Sequence, residues 1–369
     1  LVAFNESESD ERMMLSNKLD TVAAVDRGLP LISHVSADPI AMACSSNQPA
    51  TPLLASVLNS TEPDPDSIDF TSPSLVCPIN VTSITNRWLN VYIDAPDQIM
   101  KEYDPKVSHF TCQMLKSYVG AAIRSQRFPP FIHSTQITAQ SLCPVLATCM
   151  SIVQIYNRLL PGSERATAEV LHREMAKVYE ERLNYDEIGL LAAFQSYLIY
   201  AMVLFFRIDV DVTGLFRQAK VHLQELASMT AGGGIMCTEE QQRQRPRWES
   251  WIVAEAKRRT LYTMYLFDNV LSQHEGDPIF LGTELKGLPA PASKTLWEAK
   301  GRRDWDLKYN LHLLQWPDRD FAINELWEMP PKAPTATLVD RAQRVDRWLE
   351  DLDEYGVMMY AVTSSIHGV

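Results

Sequence analysis

The stretch Gly189–Phe206, GLLAAFQSYLIYAMVLFF, constrains the fold more than any other part of this 369-residue chain. A helix through it would be apolar on every side, and such a helix needs either lipid or a complete jacket of other helices. Gln195 and Ser196 fall near its middle, and Asp186 and Glu187 flank one end. Polar side chains at mid-span are costly in hydrocarbon, and the chain offers no second apolar stretch of this length. The reading is therefore a core helix wrapped by others, with no membrane partner.

The jacket is visible in the rest of the sequence. From about residue 80, apolar residues recur at spacings of three and four, as in Ile84, Trp88, Leu89, Tyr92 and Ile93, and in Phe110, Met114, Leu115, Tyr118 and Val119. Helices are expected at about 138–160, 163–183, 187–208, 212–230, 246–273, 294–315, 317–328 and 336–367. Phe128-Pro129-Pro130, Pro161-Gly162, Gly232-Gly233-Gly234 and the Gly287–Pro291 stretch separate them. With no strand alternation and no repeat, the fold class is all-α, a large and irregular multi-helix domain over 79–369.

Residues 1–78 read differently. Residues 1–75 hold eleven acids, three bases and two of the 33 aromatics, with Pro/Ser-rich runs at 45–52 and 60–74. This composition points to an acidic linker, mostly disordered, with a short docking helix around Leu53–Leu58. It also carries 3 − 11 = −8 of the chain's −12 net charge. The helical part is thus close to neutral, and overall acidity argues only weakly against nucleic acid. Six cysteines, at 44, 77, 112, 143, 149 and 237, show no C-x-x-C spacing. Neither a zinc site nor a disulfide framework is expected, and no metal or cofactor is assigned to the chain. Leu1 to Asp10 carries acids rather than the basic-then-apolar order of a secretory signal.

The segment Pro246–Glu275 is expected to form one long helix. At about 100° per residue, Trp248, Trp251, Ile252, Tyr262 and Leu266 share a face, and Glu255 and Arg259 fall on it between the rings. The two charges stand at i and i+4 and can meet. Within an aromatic stripe they must pair, and the simplest role is an ion pair that fixes how the helix docks. Lys257 points the other way and is expected in solvent. QQRQRPR, residues 241–247, reads as the solvated start of that helix, His133 as a structural hydrogen-bonder, and Gly232-Gly233-Gly234 as a flexible turn.

Several of these segments together resemble the regulatory, or middle-homology, domain of fungal binuclear zinc cluster transcription factors. Pro129-Pro130-Phe131-Ile132-His133 resembles the family's PPFIH turn, and Cys143–Tyr156 the helix after it. Trp248, Trp251, Glu255, Arg258, Arg259, Thr260 and Asp268 match a W-x-x-W…E-x-x-R-R-T helix. Leu288-Pro289-Ala290-Pro291 with Leu296-Trp297-Glu298-Ala299 matches an LPAP…LWEA segment, and Asp353–Tyr360 resembles the last helix. The resemblance spans about residues 80–369. It implies a non-enzymatic regulator acting in the nucleus, with homodimerisation and contacts to the transcription machinery or co-regulators. The family's six-cysteine zinc cluster has no counterpart here, so zinc and DNA contacts are expected only in a module outside this chain, upstream of Leu1. Two other readings remain. One is a co-regulator that works through a partner without its own DNA-binding module. The other is a terpene-synthase-like enzyme holding magnesium on Asp351, Asp353 and Glu354 or on Asp268. In that enzyme's second metal motif the needed Glu would fall on Gly276, with Glu275 one position short.

Overall fold

The computed structural model describes residues 68–93, 98–124, 127–137, 143–208, 213–329 and 332–367. All of them fall in one compact unit, Glu62–Val369. The expected acidic linker through residue 67, with its Leu53–Leu58 helix, lies outside the described residues.

The domain is all-α. In chain order its helices are α1 (Val81–Thr85), α2 (Pro105–Arg124), α3 (Pro144–Val153), α4 (Glu164–Glu180), α5 (Glu187–Arg207), α6 (Thr213–Gly232), α7 (Thr238–Gln241), α8 (Trp248–Glu275), α9 (Lys294–Trp297), α10 (Arg302–Gln315), α11 (Thr335–Leu349) and α12 (Glu354–His367). Two-residue strands β1 (Leu75–Val76), β2 (Met100–Lys101), β3 (Met236–Cys237) and β4 (Ile279–Phe280) pair antiparallel as β1 with β3 and β2 with β4.

The apolar segment is α5. Asp186 starts it by accepting a bond from the Gly189 amide at 2.7 Å. The helix is long and apolar enough to cross a membrane by length and composition, but 83% of its apolar window is buried inside the protein. Helices α2, α3, α4, α6 and α8 pack around it. The polar pair at its middle has a purpose here. Gln195 Nε2 donates to the Phe131 carbonyl at 2.9 Å, and Gln195 Oε1 accepts from Gln136 at 3.2 Å, so α5 grips the Pro-Pro-Phe turn.

The long segment is α8, 28 residues ending in a Schellman motif. Gly276 adopts φ 75°, its amide donates to the Gln273 carbonyl, and the Asp277 amide donates to Ser272 at 2.8 Å. Nearly every side chain of α8 is buried, not one face alone. Lys257 is consequently not in solvent. It is 1% exposed, and its ammonium donates to Glu187 at 2.6 Å and to the Gly234 carbonyl at 2.8 Å. A second core of Trp248, Trp251, Trp297, Trp305 and Tyr309 lies beside the main one.

Other expectations shift in detail. Packing begins before residue 79: Ile68, Phe70 and Leu75 lie against the tryptophan-rich core, and β1 is hydrogen-bonded to β3. The residues near 84–93 form α1 and a 3₁₀ turn, Arg87–Val91, which leave Trp88, Tyr92 and Ile93 exposed. The helix expected over 294–315 is interrupted at 298–301. The one over 336–367 breaks at 350–353, and 317–328 yields only a 3₁₀ turn, Ile323–Leu326. The arginines of 241–247 are engaged within the fold: Arg243 with Asp320 and the Trp316 carbonyl, Arg245 with Asp306 and Asn310, and Arg247 with Asp69.

Within the triple glycine, expected to be a flexible turn, Gly234 is tightly seated against Leu75. Gly234 has φ 103°, and a Cβ there would stand 2.3 Å from Leu75 Cβ and 2.7 Å from its carbonyl carbon. Gly287 also has positive φ, 89°, but open space around it. Gly234→Ala should therefore destabilise the domain by about 2–3 kcal/mol, combining left-handed strain with a backbone clash, and Gly287→Ala by about 1 kcal/mol, strain alone. Urea unfolding of the two variants measures the difference; equal losses would contradict the seat.

Candidate functional site: a buried ion centre on the long helix

Glu255, Arg258 and Arg259 sit within one turn of α8, all essentially without solvent exposure. Burying an unpaired charge costs several kcal/mol, so each must be matched at short range. Glu255 is saturated. Its Oε1 accepts from Arg259 Nε at 2.7 Å and from the Ala292 amide at 2.8 Å. Its Oε2 accepts from Arg258 Nη2 at 2.9 Å and Nε at 3.2 Å.

Arg259 uses its whole guanidinium. Nη1 donates to Asp353 Oδ2 at 2.5 Å and to the Pro130 carbonyl at 3.4 Å, and Nη2 donates to the Ala292 carbonyl at 3.1 Å. The group lies 4.3 Å from the Trp297 ring centroid and 5.1 Å from that of Tyr355. Planar, delocalised and permanently charged, a guanidinium suits such a stacked and forked site as an ammonium would not. Asp353 serves twice, because its Oδ1 caps α12 by accepting from the Gly356 amide at 2.8 Å. Tyr355 closes the site from above, its hydroxyl donating to the Arg259 carbonyl at 2.8 Å.

Arg258 faces the other way, to the Ile235 carbonyl at 3.1 Å and to both oxygens of Glu240 at 3.4 Å. Burial works against the Arg258 charge, but Glu240 and then Glu255 outweigh it and hold its pKa up. For Arg259, Asp353 and then Glu255 do the same. Burial raises the Glu240 carboxyl in spite of Arg258.

His133 anchors the Pro-Pro turn to this centre. Its Nε2 lies 2.9 Å from the Trp297 carbonyl and must donate, while Nδ1 accepts from the Thr135 amide at 3.3 Å and meets its hydroxyl at 2.7 Å. The ring stands edge-on to Trp297 and Trp248. Burial, aided by the Arg259 charge and opposed by the Trp297 carbonyl, pushes its pKa down to about 4. Leu288 is buried, and the Pro289 carbonyl accepts from Tyr262 at 2.6 Å.

The structure thus gathers Pro129, Pro130, His133, Trp248, Trp251, Glu255, Arg258, Arg259, Leu288, Pro289 and Trp297 on and around the N-terminal half of α8. Asp268 stands apart, nine residues or about 14 Å further along the helix. There it accepts from Arg87 Nε at 3.2 Å, in a separate centre with Glu284. Asp353 and Glu240 carry little sequence sign of being partners of the arginines. Only the Asp-x-x-Gly capping pattern of Asp353 and the Cys-Thr-Glu-Glu run that starts α7 mark them locally, and neither names its long-range partner. Asp351 accepts from Thr295, and Glu275 lies 3.5 Å from Lys220. Among the described residues, no group of three or more His, Cys, Asp or Glu is placed to hold a metal ion, and the described cysteines are free.

No family model matches the chain, and neither a curated protein nor a solved structure is significantly similar to it.

Two measurements test the ion centre. Removing one partner of a buried pair strands the other, so Arg259→Met should cost about 3–5 kcal/mol. In a cycle with Asp353→Asn, which keeps the cap, the two losses should fall short of additivity by about 1–3 kcal/mol. Strict additivity in chemical denaturation would rule out the coupling. For His133, the unfolded side chain protonates near pH 6.5 and the folded one only near 4. Its contribution is fully present above pH 6.5 and is lost as pH falls toward 4, at up to about 1.4 kcal/mol per unit. His133→Gln should flatten that part of the stability profile; an unchanged slope would show that other groups set it.

Proposed function

We propose that this chain carries the regulatory domain of a fungal transcription factor, acting in the nucleus, with DNA contacted only through a module outside the chain. The observation that supports it most is convergence. Four of the five segments that carry the resemblance in sequence, 129–133, 248–260, 288–299 and 353–360, meet at the Glu255–Arg259 centre; Cys143–Tyr156 is not bonded to it. Residues that build one fold-specific joint are expected to recur together in a family. In this reading the ion centre has no catalytic part, since every polar atom of its arginines is engaged within the chain. Its work is to lock the docking of α8, the Pro-Pro turn, the 289–293 loop and α12, so that a helical surface is presented to co-regulators, the transcription machinery or a second copy.

The co-regulator reading gains from one further feature. Leu307, Leu311 and Leu314, at i, i+4 and i+7 on α10, are 69%, 59% and 78% exposed. Such an apolar stripe suits a partner helix.

Tethering the full chain to a heterologous DNA-binding module in yeast tests the proposal. Reporter output should change several-fold relative to the module alone, and Leu307→Asp with Leu314→Asp should reduce that change if the stripe recruits the partner. The chain without the module should not retain duplex DNA at physiological salt. A silent reporter with abundant nuclear protein, or tight and salt-sensitive DNA binding by the chain alone, would overturn the assignment.

A further inference from the structure

A cavity of about 440 Å³ opens beside the ion centre, on the Arg258 side. That volume lies within the range of small-molecule sites. It is lined by α7, α8, the 289–293 loop, α9, α10, the 316–321 segment and the end of α11 with the residues just after it. One wall is a row of rings. Trp316 and Phe321 have centroids 6.0 Å apart, and Phe321 stacks on Trp348 at 5.0 Å and 22°. Trp251, Leu296 and Leu311 add apolar surface elsewhere in the lining.

Beside Arg258, one acceptor is incompletely used. Glu240 Oε2 accepts the Cys237 amide at 2.7 Å, whereas Glu240 Oε1 has only the long 3.4 Å contact from Arg258. The lining charges nearly cancel, with Arg258, Lys308 and Arg347 against Glu240, Asp320, Glu350 and Asp351. Arg258 is held by Glu240 and Glu255, Lys308 by Asp304, and Asp320 by Arg243. Neither an anion nor a cation is selected.

We infer that this cavity is a binding site for an uncharged, ring-bearing, largely apolar small molecule that presents one N–H or O–H donor to Glu240. The rings give it apolar and stacking surface, and Glu240 Oε1 fixes its orientation. A bound molecule would brace α8 against α10 and α11. The inference stands on the cavity alone and does not depend on the transcriptional reading.

N-phenyl-1-naphthylamine is a suitable probe: uncharged, with two aromatic groups joined by a single N–H. Titrated into the full chain, it should bind saturably at one site and quench tryptophan emission from Trp251, Trp316 and Trp348. Leu311 lines the cavity at its exposed rim, whereas Leu314 lies on the same helix outside it. Leu311→Asp should weaken binding about fivefold or more, the effect of losing part of a leucine contact. Leu314→Asp should leave it unchanged. Both sites are exposed, so folding is retained, as circular dichroism would verify. 1-Phenylnaphthalene, of similar shape but without the donor, should bind about three- to tenfold more weakly. Absence of saturable binding, equal weakening by the two leucine variants, or equal affinity for the two probes would overturn the proposal.

Discussion

The Arg259 guanidinium is the element on which the rest of this fold depends. It is permanently charged, carries five donors in a plane, and lies with no solvent exposure in a core of tryptophan and tyrosine. Such a group cannot be neutralised by losing a proton, so the fold has to bring acceptors to it. Those acceptors come from Glu255 on the same helix, Pro130 far upstream, Ala292 in the following loop, and Asp353 at the start of the last helix. Unless all four segments arrive, the charge is left incompletely matched. An apolar side chain would pack there with less demand on its neighbours, but it would not specify which segments must meet. The burial of this charge therefore acts as a registration device for an irregular bundle that lacks the symmetry of a four-helix design.

The same logic explains why polar residues appear where apolar ones would be simpler. Gln195 interrupts the most apolar helix in the chain, yet it holds the Phe131 carbonyl and Gln136, and so fixes the turn that delivers Pro130 to Arg259. His133 completes that anchor from the other side through the Trp297 carbonyl. The neutral imidazole needs one donor and one acceptor partner, and the turn supplies both. These contacts form one continuous chain of bonds, from the middle of α5 through the Pro-Pro turn to the middle of α8.

Much of the architecture was legible because two helices are extreme. Segment 189–206 is too apolar for any surface position, and 246–275 is long and periodic. The pairing of Glu255 with Arg259 followed from their spacing inside an aromatic stripe. What escaped was the consequence of full burial. A periodicity argument assigns one face to the core and the other to water, so it placed Lys257 in solvent, whereas α8 is surrounded and Lys257 must find Glu187. Long-range acceptors such as Asp353 and Glu240 escaped for a related reason: a carboxylate carries no local sign of the cation it will meet. The packing ahead of residue 79 was hidden because only Ile68, Phe70, Leu75 and Val76 interrupt a polar stretch. Three of them, Ile68, Phe70 and Leu75, dock on a tryptophan-rich core rather than forming one of their own.

Glu255 divides its two oxygens between Arg259 and Arg258, and this links the closed centre to the open cavity. Arg259 meets Asp353 at 2.5 Å and Glu255 at 2.7 Å. On the Arg258 side the contacts to Glu240 stretch to 3.4 Å. A single carboxylate thus joins two arginines whose outer carboxylate partners are held at different lengths. Any change in how Glu240 holds Arg258 alters the competition for Glu255, and through it the grip of Arg259 on Asp353 and α12. Coupling of this kind requires no moving hinge, only a shared acceptor whose two partners respond to each other in a medium of low dielectric.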